Sequence, residues 1–566
     1  MSSATPAIVT QSAVRRLPRL ALLLLGLAYV LPGFLGREPW KNIDVATFGA
    51  MMEMVRGSSG WWSPQVLGAS VDVAGPLPYW LGAISIQVFP FLPPDLAGRI
   101  PFALLLALTL VCTWYAVYHL ARQQSAQPVA FAFGGEADPI DYARALADGA
   151  LLALVACLGL AQMSHETNPD VARLSMVSAI LMAASRMALP ATRRPGLTLL
   201  LWTAGTVGLV FSGAPWIALA LGTGLAAAVW YTRAQQAADN RREISWVIGM
   251  LALVLVLAAT TEQIHWPASL AWPEDFDDWH RWARLLVWFT WPAWPLALWT
   301  LWRWRHQLLS PHVALPLWTA LVSVVNSAIN PDFDRSLFLA LPAMAALASF
   351  ALPTLRRSVA ALIDWFTLVF FSGCALVIWV IWLAMQTGFP AKPAANVARL
   401  APGFVAEFSW LLLLPALLAT IAWGWLVSWR VGRHPQAIWK SLVLPAAGAT
   451  LCWLLLMTLW LPLLDFGRSY GPLARRIARL VPENSCVLVD GLGQAQISAL
   501  QFQGGISPVR SGNGAGEDCR LMVVHPDSQP TLDRRVKLVD WAYKGTVRRL
   551  SDKEPLLIYQ RIRGGA

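Results

Sequence analysis

Long apolar runs, separated by short polar segments, dominate roughly the first 460 residues of the chain. A helix that spans a bilayer needs about 20 mostly apolar residues, and somewhat fewer suffice inside a packed bundle. By that measure the pattern predicts thirteen spanning helices. They lie near 17–36, 97–121, 146–163, 171–189, 197–211, 214–231, 245–262, 284–302, 312–328, 336–353, 362–386, 408–429 and 440–462.

The pattern changes after residue 462. Short β-like runs at 486–489, 521–524 and 556–559 alternate with polar turns, and one basic helical stretch covers 473–480. This alternation predicts a small α/β domain over 463–566, which follows a transmembrane domain over 1–462. Cys486 and Cys519 both lie in this segment, where they could form a disulfide bond or remain free thiols.

The composition agrees with a membrane protein. Only 13% of the residues are charged and 57% are hydrophobic, whereas soluble domains carry about 25% charged residues. A mean hydropathy of +0.52 also excludes a disordered chain. The net charge of +11 comes without a basic stripe or a zinc-finger spacing, so we expect membrane lipids and no nucleic acid as partners.

The distribution of basic residues predicts the orientation of the chain. With the N-terminus in the cytoplasm, the cytoplasmic segments carry 18 Lys and Arg residues and the opposite loops before residue 463 carry 10. Cytoplasmic loops of membrane proteins are enriched in these residues. An odd number of spans then places the C-terminal domain on the outer side, which is the periplasm if the membrane is the inner membrane of a bacterium.

Polar residues gather in the loops predicted to face outward. Asp44 precedes a helical run over 45–55, so its carboxylate either caps that helix or faces a cavity. A second loop brings Glu166 and Asp170. A third carries His265 and His280 beside carboxylates, which could bind a divalent metal, although a solvated acidic loop is the simpler interpretation. The sequence has no phosphate-binding loop, nucleophile elbow or dinucleotide motif, which argues against a soluble nucleotide donor.

Several motifs in these loops occur in a characteristic order. They are Arg37-Glu38-Pro39-Trp40 through Asp44; Trp62, Pro64, Leu67 and Gly68; Pro76-Leu77-Pro78-Tyr79-Trp80-Leu81; Arg99-Ile100-Pro101; Asn168-Pro169-Asp170; Arg335 with Leu341-Pro342-Ala343; and Leu461 to Tyr470. Together they resemble the GT-C glycosyltransferases that use polyprenyl-phosphate sugars. The resemblance is greatest to the bacterial aminoarabinose lipid A transferases and their protein O-mannosyltransferase relatives.

The resemblance implies a polytopic α-helical GT-C-like enzyme of the bacterial inner membrane with a small periplasmic α/β domain. Its donor would be a sugar on undecaprenyl phosphate, and its acceptor a lipid A-type or other envelope molecule. Asp44 would be the main catalytic carboxylate and Asp170 would assist it, so Asp44→Asn would abolish transfer without affecting folding. The residues implied in binding the donor phosphate and the substrates are Lys41, Asp72, Tyr79, Glu166 and Arg335. No cofactor is certain, a divalent cation stays open, and we expect a monomer.

The chain departs from the family pattern near the predicted site. Val45 stands where the family usually has an acidic residue. A basic and an aromatic residue commonly follow shortly after, where this chain has Thr47 and Phe48. Val73 and Ala74 replace residues of the family's Glu-Lys-Pro-Pro run. These changes leave open another sugar or acceptor, a protein O-mannosyltransferase-like enzyme, or a catalytically decayed paralogue. A lipid or sugar transporter is a further alternative, which carboxylates at mid-membrane depth would favour.

Overall fold

Helices make up most of the structure, a computed structural model that describes residues 5–40, 42–71, 75–189, 195–235, 241–260, 275–330, 333–431, 437–482, 485–511, 519–549 and 555–562. The α-helices of these ranges are α1 Arg19–Val30, α2 Ile43–Val55, α3 Leu77–Val88, α4 Pro94–Ala121, α5 Pro139–Ala156, α6 Leu160–Met163, α7 Pro169–Met187, α8 Pro195–Phe211, α9 Pro215–Gln235, α10 Arg241–Thr260 and α11 Phe276–Phe289. They continue with α12 Ala293–Arg303, α13 Pro311–Ala328, α14 Phe333–Phe338, α15 Leu341–Ala351, α16 Arg357–Thr387, α17 Ala391–Leu400, α18 Trp410–Val431, α19 Val443–Leu456, α20 Leu461–Arg468, α21 Gly471–Ala478 and α22 Gln494–Phe502.

Six helices in the described ranges are long and apolar enough to cross a membrane. They are Pro94–Ala121, Pro215–Ala234, Glu243–Thr260, Arg357–Thr387, Trp410–Arg430 and Ile438–Leu456. Each of the thirteen predicted spans coincides with helical structure, but several helices are shorter than predicted, and α1 has 12 residues. A count of thirteen therefore stays a prediction.

The span predicted over 284–302 is not one continuous helix. The chain leaves the helix at the end of α11 and starts again at α12, with Thr290, Trp291 and Pro292 between them. Proline has no N–H to donate and disfavours a helical conformation of the residue before it, so the helix ends here despite the continuous apolar pattern.

Small residues allow the central helices to pack closely. Helix α4 lies between α5 and α7, and α15 packs on α5 and α12. The facing surfaces are rich in alanine, and α15 alone buries five alanines. Small side chains let helix backbones approach closely inside a membrane, where apolar burial alone gives little preference for helix–helix contact.

Some segments that the alternation assigns to the same side of the membrane contact one another. Arg16 pairs with Asp141 at 2.9 Å, and Trp439 Nε1 donates to the carbonyl of Arg15 at 2.7 Å. The loop before α2, the loop before α7 and helix α20 also meet. The orientation of the chain in the membrane stays a prediction.

A mixed five-stranded sheet follows α21. Its strands are β3 Val487–Asp490, β4 Pro508–Arg510, β5 Leu521–Val524, β6 Trp541–Val547 and β7 Leu556–Arg561, while β1 Gln65–Val66 and β2 Ala69–Ser70 form a separate hairpin in the first outer loop. The order is β4-β3-β5-β7-β6, with β3 parallel to both of its neighbours and β7 antiparallel to both of its own. The three β-like runs coincide with β3, β5 and β7, and the basic helical stretch coincides with α21. Cys486 and Cys519 form a disulfide bond.

Helix α22 docks this sheet on the first outer loop by packing on α2. Gly49 makes the approach possible, because a Cβ there would lie 1.9 Å from Ser498 Oγ. Phe48 and Phe502 meet edge to face, with 5.7 Å between their ring centroids, and Gln501 Nε2 donates to Glu53 Oε1 at 2.8 Å. The C-terminal segment is therefore held against α2, the helix whose first turn carries Asp44.

Candidate functional site

A buried ion pair lies at the centre of the polar cluster at this end. Arg37 Nη1 donates to Asp44 Oδ2 at 2.5 Å, and the two residues are 4% and 0% exposed. Arg37 also donates to the carbonyl oxygens of Gly33, Glu38 and His165 at 2.6 to 3.1 Å. The guanidinium is therefore fully engaged, and its charge is compensated by Asp44.

The carboxylate of Asp44 is enclosed by donors. Oδ2 also accepts the N–H of Trp40 at 2.9 Å, and Oδ1 accepts the N–H of Thr167 at 2.8 Å together with the Thr167 hydroxyl. Asp44 lies in the first turn of α2, whose N-cap is Asn42. Neither sequence interpretation holds as stated: the carboxylate does not cap α2, and it does not face an open cavity.

The electrostatics of Asp44 follow from this enclosure. Burial raises its pKa, but Arg37, Arg99 and the Thr167 hydrogen bond lower it more, and the resulting pKa is about 2. The group is thus a permanent anion at physiological pH. A carboxylate with so low a pKa is a poor proton acceptor, so the geometry favours a positioning and electrostatic role.

Asp170 lies in the first turn of α7, directly after the loop whose Thr167 donates a hydrogen bond to Asp44. The side chain of Asn168 caps α7 by accepting the N–H of Asp170 at 2.9 Å. The carboxylate of Asp170 is buried and pairs with Arg173 one turn later, at 2.7 Å. Thr167 bonds to Asp44 and lies three residues before Asp170, so the two carboxylates meet the same loop. Asp44 pairs with Arg37, whereas Asp170 pairs with Arg173.

His165, in the same loop, is a packing residue. Its ring contacts Tyr29, Phe34 and Trp453, with 4.6 Å between the His165 and Trp453 centroids. Both ring nitrogens face backbone carbonyls, those of Tyr29 and Ala161. Burial lowers its pKa to about 4, so the imidazole is neutral at physiological pH.

A second set of hydrogen bonds ties the Asp44 loop to the segment that leads into the sheet. Asp465 Oδ1 accepts the N–H of Glu38 at 3.0 Å and Trp40 Nε1 at 2.9 Å. Glu38 in turn accepts from Arg475 at 2.7 Å and from the Ser469 hydroxyl. Loop, helix α20 and helix α21 therefore form one hydrogen-bonded unit around Trp40.

Glu166 and Arg468 are among the charged side chains of the cluster that remain partly accessible, as are Glu38 and Arg475. Glu166 is partly buried, and its Oε1 accepts Gln162 Nε2 at 3.1 Å. Burial and the nearby charge of Asp44 raise the pKa of Glu166 to about 7, although Arg37 and Arg468 oppose the shift. Arg468, at the end of α20, lies over the ring of Trp40 with its guanidinium carbon 5.1 Å from the ring centroid.

The other predicted site residues are placed as follows. Tyr79 is buried on α3, and Arg335 is partly buried on α14, a helix that packs against α6 and α7. Lys41 and Asp72 lie outside the described residues, as does His265. His280 is exposed on α11. No group of three or more His, Cys, Asp or Glu side chains within the described ranges is arranged to hold a metal ion.

An open apolar groove of about 560 Å³ lies between α16 and α19. Its lining includes Leu158, Phe370, Ile378, Cys452 and Leu456. Trp453, the neighbour of Cys452 on α19, contacts the ring of His165. Leu158, which lies between α5 and α6, lines the groove together with residues of α16 and α19.

Sequence reasoning gave no role to four residues that build the cluster: Arg37, Thr167, Asp465 and Arg468. Arg37, Asp465 and Arg468 lie within the motifs that carry the family resemblance. The sequence therefore indicated their positions but not their contacts. Thr167 lies outside those motifs, and its only signal was its place between Glu166 and Asp170.

No protein-family model and no curated protein matches this chain. Among solved structures, ArnT from Cupriavidus metallidurans in the apo state is 15% identical to it and has a TM-score of 0.61, over 96% of this chain and 98% of that one. The same protein bound to undecaprenyl phosphate is 14% identical, with a TM-score of 0.62 over 96% and 97% of the two chains. AglB, an archaeal oligosaccharyltransferase from Archaeoglobus fulgidus, is 10% identical, and its TM-score of 0.34 is too low to indicate a shared fold.

These comparisons establish the fold. The chain has the fold of ArnT, an aminoarabinose lipid A transferase, over 96% of its length. The resemblance inferred from the loop motifs is confirmed at that level.

Proposed function

We propose that this protein transfers a sugar from an undecaprenyl-phosphate-linked donor to an acceptor of the cell envelope. The observation that carries the proposal is the ArnT fold, which covers 96% of this chain. ArnT itself has been solved with bound undecaprenyl phosphate. The polar cluster around Arg37 and Asp44 supports it, since charged side chains gather at one end of an otherwise apolar helical bundle.

Part of the donor's prenyl chain would lie in the groove between α16 and α19. That groove is lined almost wholly by apolar side chains, and Leu158, between α5 and α6, belongs to its lining. In this proposal the chain enters from the bilayer, and the phosphate and sugar reach the polar cluster at the end of the helices. Lys41 and Arg335 remain the cations proposed from the sequence to neutralise the phosphate, with Asp72 and Tyr79 as further substrate contacts.

Asp44 and Asp170 are the proposed carboxylates of the site, with different tasks. Asp44 holds the loop before α7 in place and supplies a fixed negative charge, which favours positive charge developing at the anomeric carbon during transfer. Asp170 fixes Arg173 at the start of α7, where a cation can meet an anionic substrate. Both roles depend on the loop that carries Thr167.

We place the site at the periplasmic face of a bacterial inner membrane. The bias of Lys and Arg toward the other end of the bundle supports this orientation. The Cys486–Cys519 disulfide supports it too, because such bonds persist in oxidising compartments. The C-terminal sheet then forms the periplasmic domain, and its docking on α2 places it over the site.

The test uses the full-length protein in lipid nanodiscs. Undecaprenyl-phosphate-linked pentoses and hexoses are offered one at a time with a total envelope extract as the source of acceptor, and release of undecaprenyl phosphate is measured. We expect release with at least one donor, at a rate unchanged by the exposed control substitution Glu407→Gln. No release with any donor, together with no binding of undecaprenyl phosphate, would overturn the proposal.

A further inference from the structure

Three aromatic side chains form a cluster in the loops predicted to face outward. Trp62 and Trp80 meet edge to face, with 5.0 Å between their ring centroids. The ring of Phe211, at the end of α8, lies 5.7 Å from that of Trp80 and 6.2 Å from that of Trp62. Trp80 and Phe211 are partly buried, whereas Trp62 is 60% exposed. We call these three residues the aromatic platform, because they present one accessible indole on a packed base.

The platform is held in place by its neighbours. Trp80 Nε1 donates to the carbonyl of Trp61 at 2.6 Å. Gly75 lies against the backbone of 211–213, since a Cβ at Gly75 would lie only 2.4 Å from the backbone nitrogen of Gly213. Its φ of +100° also favours glycine. The first outer loop and the end of α8 therefore form one continuous surface.

A guanidinium lies at the same segment. Arg173 Nε donates to the carbonyl of Ser212 at 2.8 Å, and Arg173 Nη1 donates to Asp170 Oδ1 at 2.7 Å. The side chain of Arg173 is 19% exposed, and its Nη2 makes no hydrogen bond with the residues that the structure describes. Because Ser212 directly follows Phe211, a cation with a spare N–H group adjoins the platform.

We propose that the aromatic platform and Arg173 bind the glycosyl phosphate group of the donor, with the sugar ring on Trp62 and the phosphate on Arg173. This inference rests on the proposed function and gives it a donor subsite beyond Lys41 and Arg335. Asp170 positions the guanidinium through the ion pair and does not itself contact the donor.

A glycosyl phosphate suits this arrangement because its sugar ring and its anion are directly joined. The C–H groups on one face of a sugar ring pack on an indole, and the hydroxyl groups at its edge remain free for hydrogen bonds. Arginine binds phosphate oxygens through charge-assisted hydrogen bonds, for which Nη2 of Arg173 is available. A tryptophan that only anchors a protein at the membrane surface needs no cation fixed beside it.

The subsite adjoins the polar cluster around Asp44. Arg173 lies one helical turn after Asp170 on α7. The loop directly before α7 carries Thr167, whose N–H donates to Asp44 Oδ1 at 2.8 Å. A donor phosphate on Arg173 would therefore lie next to the loop that Asp44 holds in place, which is where the proposed function puts the reacting end of the donor.

Lipids with and without a sugar separate the two contacts. Undecaprenyl phosphate, undecaprenyl-phosphate-linked glucose and undecaprenyl-phosphate-linked arabinose are titrated into the full-length protein in nanodiscs. The wild type should bind at least one sugar-linked lipid about tenfold more tightly than undecaprenyl phosphate. Arg173→Gln should weaken the binding of all three by about 10- to 100-fold, with partial recovery in Arg173→Lys.

The platform is tested by its selectivity for the sugar. Trp62→Ala should leave the binding of undecaprenyl phosphate unchanged and weaken that of the preferred sugar-linked lipid about tenfold, with partial recovery in Trp62→Phe. The matched controls are Trp410→Ala, at an exposed tryptophan of α18, and Arg399→Gln, at an exposed arginine of α17. Neither control should change the binding of any of the three lipids.

Several results would overturn the inference. They are unchanged binding of undecaprenyl phosphate in Arg173→Gln, an equal loss for lipids with and without a sugar in Trp62→Ala, and the same losses in the control variants. Unchanged donor binding in both variants with a raised KM for the acceptor extract would assign the platform to the acceptor and overturn it too. Transfer by the wild type would in each case still uphold the proposed function.

Discussion

The N–H of Thr167 donates to Oδ1 of Asp44 at 2.8 Å and so joins two loops that are 123 residues apart in the chain. The Thr167 hydroxyl reinforces the link. Glu166 is the residue directly before Thr167, so its place beside Asp44 follows from this contact. The arrangement makes Asp44 the structural centre of the cluster and leaves Glu166 partly accessible.

Loss of the charge on Asp44 should destabilise the protein. Asp44→Asn leaves the buried guanidinium of Arg37 without a counter-charge, and breaking such a pair costs about 3–5 kcal/mol. The expectation from sequence that this variant folds normally is therefore replaced by one of reduced thermal stability. The double variant Arg37→Gln/Asp44→Asn should lose less than the sum of the two single losses. Additive losses would show that the pair is not coupled, and exposed Asp533→Asn is the control.

The hydroxyl of Thr167 should contribute measurably to stability. Thr167→Val keeps the shape and the N–H but removes the hydrogen bond to the carboxylate, and hydrogen bonds to charged groups contribute about 1.5–3 kcal/mol. Thermal unfolding compared with Thr223→Val, whose hydroxyl is exposed, measures the difference. Equal unfolding temperatures for the two variants would contradict the assigned contact.

Glu166 should reduce stability as the pH rises. The pKa of Glu166 in the folded protein, about 7, lies above its ordinary value of 4.5, so folding favours the protonated acid. The folded protein therefore loses stability as the pH rises from 4.5 to 7, and the loss reaches its full size above pH 7. Glu166→Gln removes the penalty. The unfolding temperature of the variant should match that of wild type near pH 4.5 and exceed it at pH 8. A constant difference across that range would mean that Glu166 does not titrate as stated.

The disulfide should stabilise the C-terminal sheet. Cys486 and Cys519 are 33 residues apart, and closing a loop of that size contributes about 3–4 kcal/mol in the chain-entropy account. The double variant Cys486→Ala/Cys519→Ala should unfold at a lower temperature and become more sensitive to protease in the sheet. Free thiols at both positions in the protein isolated without reductant would contradict the bond.

The order of the helices was predictable from the sequence because apolar runs of membrane length have few alternatives. The helix break inside an apolar run and the elements of the C-terminal segment were harder to predict. The break at Trp291 and Pro292 lies inside a run whose composition continues on both sides, so the apolar pattern outweighed the proline. Strands β4 and β6 and helix α22 were missed because they lie in a segment of mixed polarity.

The location of the site in the outer loops was predictable from the sequence, but the contacts between its side chains were not. Asp44, Glu166 and Asp170 were recognisable as carboxylates in outer loops, where charge in an apolar chain is informative. That Thr167 and Arg37 enclose Asp44, whereas Glu166 stays partly accessible, depends on tertiary contacts between distant segments, which no local pattern encodes.

The central claim is sugar transfer from a lipid-linked donor, and the most direct measurement is mass spectrometry of the cell envelope and of the undecaprenyl-phosphate-linked sugars in cells with and without the gene. We predict that deletion removes one pentose or hexose mass from an envelope component and raises the level of one lipid-linked sugar, and that the wild-type gene reverses both changes. An unchanged envelope together with an unchanged pool of lipid-linked sugars would contradict the account.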